Sequence, residues 1–263
     1  MNPSGYMSTR LLLDLYVAAL GLVIGSYLNV VIHRLPREES TVLPRSRCPR
    51  CGAQLRAIDN LPLLSFLLLR GKCRSCQAPI SWRYPLIETM TGALFVGCLE
   101  WFGLTWHALA AAAFGAALIA LAGIDYEHFL LPDAITLPGI AVGLLIAPFA
   151  DWTNWRQALL GAAIGGGGLW LLAQLWLLLR HEEGMGLGDV KMLAMVGAFL
   201  GWQGVLVTVF LGSLVGALVG LALIAVGRLD LGSRLPFGVF LAGGAMVALF
   251  AGPALVARYS RLL

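Results

Sequence analysis

Long apolar runs separated by short polar segments dominate the chain. Eight runs approach the roughly 20 residues that a helix needs to cross a bilayer. They cover about 11–32, 85–103, 106–124, 134–150, 157–179, 190–201, 203–227 and 237–257. Helices are expected because lipid offers no partners to backbone groups, and no run alternates as the strands of a membrane barrel do. The pattern predicts an all-α polytopic membrane protein with about eight transmembrane helices.

One segment interrupts this pattern. Residues 33–84 are polar, rich in Arg and Pro, and carry four of the five cysteines. We therefore expect a first transmembrane span at 1–32, an extramembrane insert at 33–84 and a larger transmembrane domain at 85–263. The first apolar run is too long for the core of a signal peptide and lacks a small-residue cleavage site, so we expect it to be retained.

The charges indicate an orientation. The chain is 59% hydrophobic and 12% charged, about half the charge usual in soluble domains. Four of its 18 Lys and Arg residues fall on the side opposite the insert if there are eight spans: Arg10, Arg156, Arg258 and Arg261. Lys and Arg collect on the cytoplasmic side of membrane proteins. The insert is therefore expected to face the cytoplasm, and the net charge of +4 indicates the lipid bilayer, not nucleic acid, as partner.

The insert contains a candidate metal site. Cys48 and Cys51 form one C-x2-C pair, and Cys73 and Cys76 form a second. Four thiolates complete a tetrahedral shell for zinc, and a shell filled by protein is structural. A domain of about fifty residues also needs a stabilising metal ion or cross-link of this kind to fold. Two disulfides are the alternative, but the cytoplasm is reducing.

Two acidic residues stand at the predicted cytoplasmic boundary. Asp125 ends the third apolar run, and Asp189 begins the sixth. Ionisable groups at this depth are costly and indicate function. Two carboxyls close together can share one proton and activate water as acid and base. The alternative is that Asp125 is a helix-end residue and Asp189 an N-cap.

Small and charged neighbours surround these acids. Gly186 and Gly188 precede Asp189, and glycine permits positive φ or close backbone approach, which leaves room for an extended substrate. Lys191 is either a charge partner of Asp189 or a marker of the cytoplasmic side. Asp133 follows a proline and is expected to cap the next helix.

At this point the chain resembles the prepilin peptidase family, also called type IV leader peptidases, which are membrane aspartic proteases with a Gly-x-Gly-Asp motif. The motifs that carry the resemblance are GSYLNVVIHRLP at 25–36, the cysteine region 46–87, ID at 124–125, LPD at 131–133, GLGDVK at 186–191 and LPFG at 235–238. The family's last motif often continues with proline, whereas Val239 stands here. We expect that difference to alter a helix cap and not the chemistry.

The resemblance implies cleavage of the basic leader of type IV prepilins or pseudopilins, after glycine, at the cytoplasmic face of the bacterial inner membrane. By position, Asp125 and Asp189 match the catalytic aspartates. It also implies N-methylation of the new N-terminus with S-adenosylmethionine, and Gly71 matches a glycine linked with that activity. Glu182 and Glu183 are either solvated or help to receive the cationic leader. A transporter using the boundary aspartates, with a regulatory metal site, is the alternative from another class.

Overall fold

The computed structural model describes residues 3–181, 186–228, 230 and 233–259. The predicted all-α class is confirmed, because the regular elements in these residues are helices. Isolated antiparallel bridges join Arg47 to Gln54 and Lys72 to Pro79 within the insert. The chain divides into two compact units, Met1–Ala120 and Leu121–Leu263.

The first unit contains a closely packed helix pair and the insert. Its helices are α1 (Pro3–Arg34), α2 (Leu64–Leu68), α3 (Arg83–Phe102) and the first part of α4 (Trp106–His128). Glycines let α1 approach α3 closely, since a Cβ on Gly21 would lie 2.8 Å from Cα of Gly92 and one on Gly25 2.7 Å from Cα of Glu88. Glu88 also accepts a 2.9 Å hydrogen bond from the N–H of Leu63, which ties the insert to α3.

The second unit contains the end of α4 and the remaining helices. These are α5 (Asp133–Ile146), α6 (Trp155–Ala162), a π-helical turn at Ala163–Gly168, α7 (Leu169–Arg180), α8 (Leu187–Ala225) and α9 (Phe237–Tyr259). Gly161 and Gly197 meet where α6 packs on α8, and a side chain on either would collide with the other's backbone. Gly165 and Gly166 also meet α8, at Leu193 and Ala194, so these glycines of the segment 161–168 serve helix packing.

Gly201 breaks the helical geometry inside α8, with φ +71° and ψ 178°. Glycine adopts this conformation without the steric cost that a Cβ would bring. The break lies at the end of the sixth apolar run, predicted at 190–201, directly before the seventh at 203–227. Sequence alone left that boundary uncertain because no charged residue marks it.

Four helices in the described residues are long and apolar enough to cross a membrane: Thr9–Arg37, Trp106–His128, Trp155–Arg180 and Leu187–Ala225. Two shorter apolar helices are Asp133–Phe149 and Phe237–Gly252. Large apolar side chains such as Leu171, Leu178 and Leu179 are exposed on α7, as lipid-facing residues are. These features are those of a membrane protein, and the count of eight spans stays a prediction.

Candidate active site and metal centre

Asp125 lies in the last turn of α4, three residues before the helix ends at His128. Its side chain is buried, with 6% of the residue exposed, and the preceding Ile124 is fully buried. A carboxyl held inside such apolar packing needs polar partners to compensate for its lost hydration. Its hydrogen-bond partner among the described residues comes from α9, far away in sequence.

Asp189 lies in the first turn of α8 and is half-buried. Its own backbone N–H bonds to the carbonyl of Gly186 at 3.2 Å, in the turn that starts the helix. The carboxylates of Asp125 and Asp189 lie close enough to interact electrostatically. The fold therefore brings together the two acids that sequence reasoning paired.

Glycines on two helices allow this close assembly. A Cβ on Gly188 would lie 2.9 Å from Cβ of the buried Leu131. A Cβ on Gly238 would lie 2.9 Å from Oδ2 of Asp125 and 3.2 Å from Cδ1 of Leu131. The freedom to adopt positive φ is not used at Gly186, whose φ is −74°. Gly188 instead permits close packing within the protein.

Sequence reasoning missed one polar partner of Asp125. The backbone N–H of Val239, in the first turn of α9, donates to Oδ2 of Asp125 at 3.2 Å. A proline at this position could not make that bond, so Val239 contributes to the surroundings of Asp125 as well as to the helix cap. The motif at 235–238 marks this helix start in the sequence. No sequence pattern, however, reveals which carboxylate the N–H groups of a helix start will contact.

Lys191 pairs with a different acid from the one adjacent in sequence. Its Nζ lies 2.7 Å and 2.8 Å from the carboxylate oxygens of Asp133, which opens α5. The N-cap of α5 is Pro132, without a side-chain cap, so the prediction that Asp133 is the cap was wrong. Glu182 and Glu183 lie outside the described residues.

The four cysteines of the insert form one cluster. Their sulfur atoms all lie within 4.8 Å of one another, and all four cysteines are free thiols. The sulfurs of Cys48 and Cys76 are 3.9 Å apart, close to the ~3.8 Å that two ligands span in a tetrahedral zinc–thiolate site. The donor set and its spacing therefore fit a metal ion such as zinc.

Two similar turns build this cluster. The N–H of Cys48 bonds to the carbonyl of Ala53 at 2.9 Å, and that of Cys73 bonds to Ala78 at 2.8 Å. Donation from the backbone N–H of Cys51, and second from that of Arg50, lowers the pKa of Cys48 to about 6 although burial opposes this. A lowered thiol pKa favours the thiolate that binds metal.

Two further contacts stabilise the insert around the cluster. Arg74, between the second pair of cysteines, donates hydrogen bonds of 2.9 Å and 2.6 Å to Oδ1 of Asp59. These bonds lower the pKa of Asp59. Gly71 has φ +67°, and a Cβ there would lie 3.1 Å from Cζ of Phe66. The local backbone and the ring of Phe66 therefore favour glycine at position 71.

Two family models match the chain. The model described as Bacterial Peptidase A24 N-terminal domain matches residues 19–102, and the Type IV leader peptidase family model matches residues 112–221. The second range contains Asp125 and Asp189, and the first contains the four clustered cysteines. No solved structure gives a significant match.

Curated relatives match over most of the chain. A protein named Prepilin leader peptidase/N-methyltransferase from Burkholderia pseudomallei (strain 1026b) is 42% identical over 90% of this chain and 85% of its own length. Proteins of the same name from Stutzerimonas stutzeri and Myxococcus xanthus (strain DK1622) are 41% and 44% identical. They align with 98% and 85% of this chain, and with 98% and 67% of their own lengths.

Proposed function

This chain belongs to the type IV leader peptidase family, and from that premise we propose that it removes the leader of type IV prepilins or pseudopilins. One packing relationship carries this proposal: Gly188, next to Asp189, and Gly238, beside the carboxylate of Asp125, pack against the same Leu131. The transporter alternative is not favoured, because relatives at 41–44% identity are named as peptidases.

The proposed catalytic pair is Asp125 and Asp189. One carboxyl is ionised and takes a proton from water, while its protonated partner polarises the scissile carbonyl. Asp125 is buried and Asp189 is half-buried, which strengthens the action of the pair on the substrate, because charges interact more strongly away from water. Lys191 is bound to Asp133, which leaves the pair free to share its proton.

The proposed topology places the chemistry at the cytoplasmic face of the bacterial inner membrane. Eight spans and an insert at 33–84 would put Asp125 and Asp189 on the side that carries most Lys and Arg residues. The peptidase domain is then 85–263, and 1–32 is the first span. The substrate's apolar segment would lie in the same bilayer, with its basic leader in the cytoplasm.

Zinc is the metal we propose for the cluster. Cys48, Cys51, Cys73 and Cys76 would hold it, and a shell closed by four sulfurs supplies structural stability instead of catalysis. The insert is small and has little apolar core of its own, so metal binding would contribute directly to its folding.

Methyl transfer is the second proposed activity. The names of the relatives include N-methyltransferase, and we propose that this chain methylates the new N-terminal amine with S-adenosylmethionine as donor. Gly71 is proposed to support this activity by fixing the backbone of the insert beside the second cysteine pair.

Cleavage of a purified prepilin in detergent tests the peptidase proposal. Wild-type protein should remove the leader, as read by intact mass, and the product should gain one methyl group when S-adenosylmethionine is added. Asp189→Asn should give neither the cleaved nor the methylated product. Failure of the wild type, beside a working family member, would refute the peptidase assignment. Cleavage without methyl gain would withdraw only the transferase.

A further inference from the structure

The start of α9 is directed at one member of the aspartate pair. The first N–H groups of a helix have no partners within it and carry partial positive charge. The N–H of Val239 belongs to this first turn and lies 3.2 Å from Oδ2 of Asp125. The same N–H also lies 3.3 Å from the carbonyl oxygen of Pro236, a contact within the turn.

The two aspartates differ in this respect. A donated N–H stabilises the ionised form of a carboxyl over its protonated form. Both carboxyls are removed from water, Asp125 more completely than Asp189, so burial does not distinguish their roles. The difference between them is a hydrogen bond: the N–H of Val239 donates to Asp125, whereas among the described residues no hydrogen bond reaches the carboxyl of Asp189.

Other charged groups around Asp125 do not reverse the difference between the surroundings of Asp125 and Asp189. From α8 the facing group is Asp189 itself, and the first turn of α9, residues 237–240, contributes no titratable side chain. Lys191 is bound to Asp133. Glu127 and His128 follow Asp125 on its own helix and lie 3.9 Å from each other.

We propose that the first turn of α9 holds Asp125 as the ionised, proton-accepting member of the pair, with the N–H of Val239 as its positioning donor. This assignment rests on the proposed peptidase function. Asp189 is then the member that carries the proton, and Val239 acts through Asp125 without touching the substrate.

The assignment gives a balanced hydrolysis. Asp125 accepts a proton from water as the water oxygen bonds to the carbonyl carbon, and the proton of Asp189 passes to the carbonyl oxygen. The resulting gem-diol collapses as Asp125 returns its proton to the leaving nitrogen and the C–N bond breaks. Asp189 takes back a proton from one hydroxyl, which forms the acid product and restores the starting pair.

The test removes one N–H and follows the pH–rate profile of leader cleavage. Val239→Pro lacks the donor and remains compatible with a first helical turn, and Val239→Ala keeps the donor and supplies the reference profile. The acidic limb of such a profile reports the base and the alkaline limb the acid. We expect the acidic limb of Val239→Pro to move up by about one pH unit, with the alkaline limb and KM unchanged.

Each other outcome overturns the assignment. If only the alkaline limb of Val239→Pro moves, Asp125 is the acid. If Val239→Pro and Val239→Ala give the same pH–rate profile, the N–H of Val239 does not position Asp125. If Val239→Pro does not fold, as judged by thermal unfolding in detergent, replacement of the Val239 amide by an ester removes the same N–H and decides the question. Wild-type protein without cleavage would refute the underlying function instead.

Discussion

The N–H of Val239 donates a 3.2 Å hydrogen bond to Oδ2 of Asp125 across 114 residues of sequence. Asp125 lies within the residues matched by the type IV leader peptidase model, 112–221, and Val239 lies beyond them. The candidate site therefore extends to the first turn of α9, which supplies a backbone N–H. Among substitutions of Val239, only proline removes that N–H. Substitutions at positions 238 and 239 therefore test the site as directly as substitutions of the aspartates.

Loss of either aspartate should abolish cleavage. Asp125→Asn and Asp189→Asn each remove a group needed for proton transfer, so kcat should fall at least about a thousandfold. Initial rates of leader removal in detergent measure this. Asp133→Asn, which removes only the exposed partner of Lys191, is the comparison and should lose less than about tenfold. Equal losses in all three variants would indicate a general effect on folding.

Gly238→Ala should displace the Asp125 carboxylate. The new Cβ would lie 2.9 Å from Oδ2 and 3.1 Å from Cγ of that residue, so the carboxylate must move. A displacement of about 1 Å can cost a hundredfold in rate, and we expect kcat to fall by about ten- to a hundredfold. The matched control is Gly243→Ala in the same helix, where a Cβ meets nothing within 4 Å. Unchanged kcat in Gly238→Ala would contradict the described site geometry.

The class of fold was predictable because it depends on local pattern. Apolar runs near 20 residues can only be helices in lipid, and the structure has helices at each run. The cysteine cluster was predictable for a similar reason, since each C-x2-C pair places two sulfurs in one turn. The long helix α8 was harder, because the break at Gly201 is a conformation that glycine permits and does not require.

Contacts between distant backbone and side-chain groups could not be predicted. Lys191 has Asp189 two residues away, yet its Nζ meets Asp133, 58 residues distant. That choice depends on which helix ends meet in the fold. The partner of Asp125 is a main-chain N–H, and main-chain groups carry no sequence signal. Propensity and periodicity therefore predicted which elements form, while packing decided which polar groups meet.

Gly71→Ala should separate the two proposed activities. Alanine at φ +67° costs roughly 1–3 kcal/mol, and its Cβ would press on the ring of Phe66 at 3.1 Å. We expect methyl transfer to fall by about tenfold or more while leader cleavage stays within about threefold. Mass spectrometry of the product measures both. Gly97→Ala in α3, where a Cβ meets nothing within 4 Å, is the control. Parallel loss of both activities would contradict separate sites.

Metal binding by the insert should depend on pH. A group whose pKa is lowered by folding contributes stability above its unfolded pKa and loses that contribution as pH falls through its folded pKa. Hydrogen bonds from the backbone lower the pKa of Cys48 to about 6, against about 8.5 for a free thiol. Although a backbone hydrogen bond from Ala53 opposes the shift, burial and hydrogen bonds with the neighbouring thiols raise the pKa of Cys51 to about 11. Zinc must therefore displace protons from the cluster, and uptake by metal-free protein should weaken progressively as pH falls, measured as bound zinc after desalting.

Variants of single cysteines identify the ligands in the same assay. Cys48→Ser and Cys76→Ser should each lower bound zinc below the one ion per chain expected of a four-thiolate site, and should lower the midpoint of thermal unfolding of the insert. Cys98→Ala, which removes a buried thiol of α3 outside the cluster, should keep full zinc content. Full zinc content in both cluster variants would refute the site, because a closed tetrahedral shell cannot lose a ligand without weaker binding.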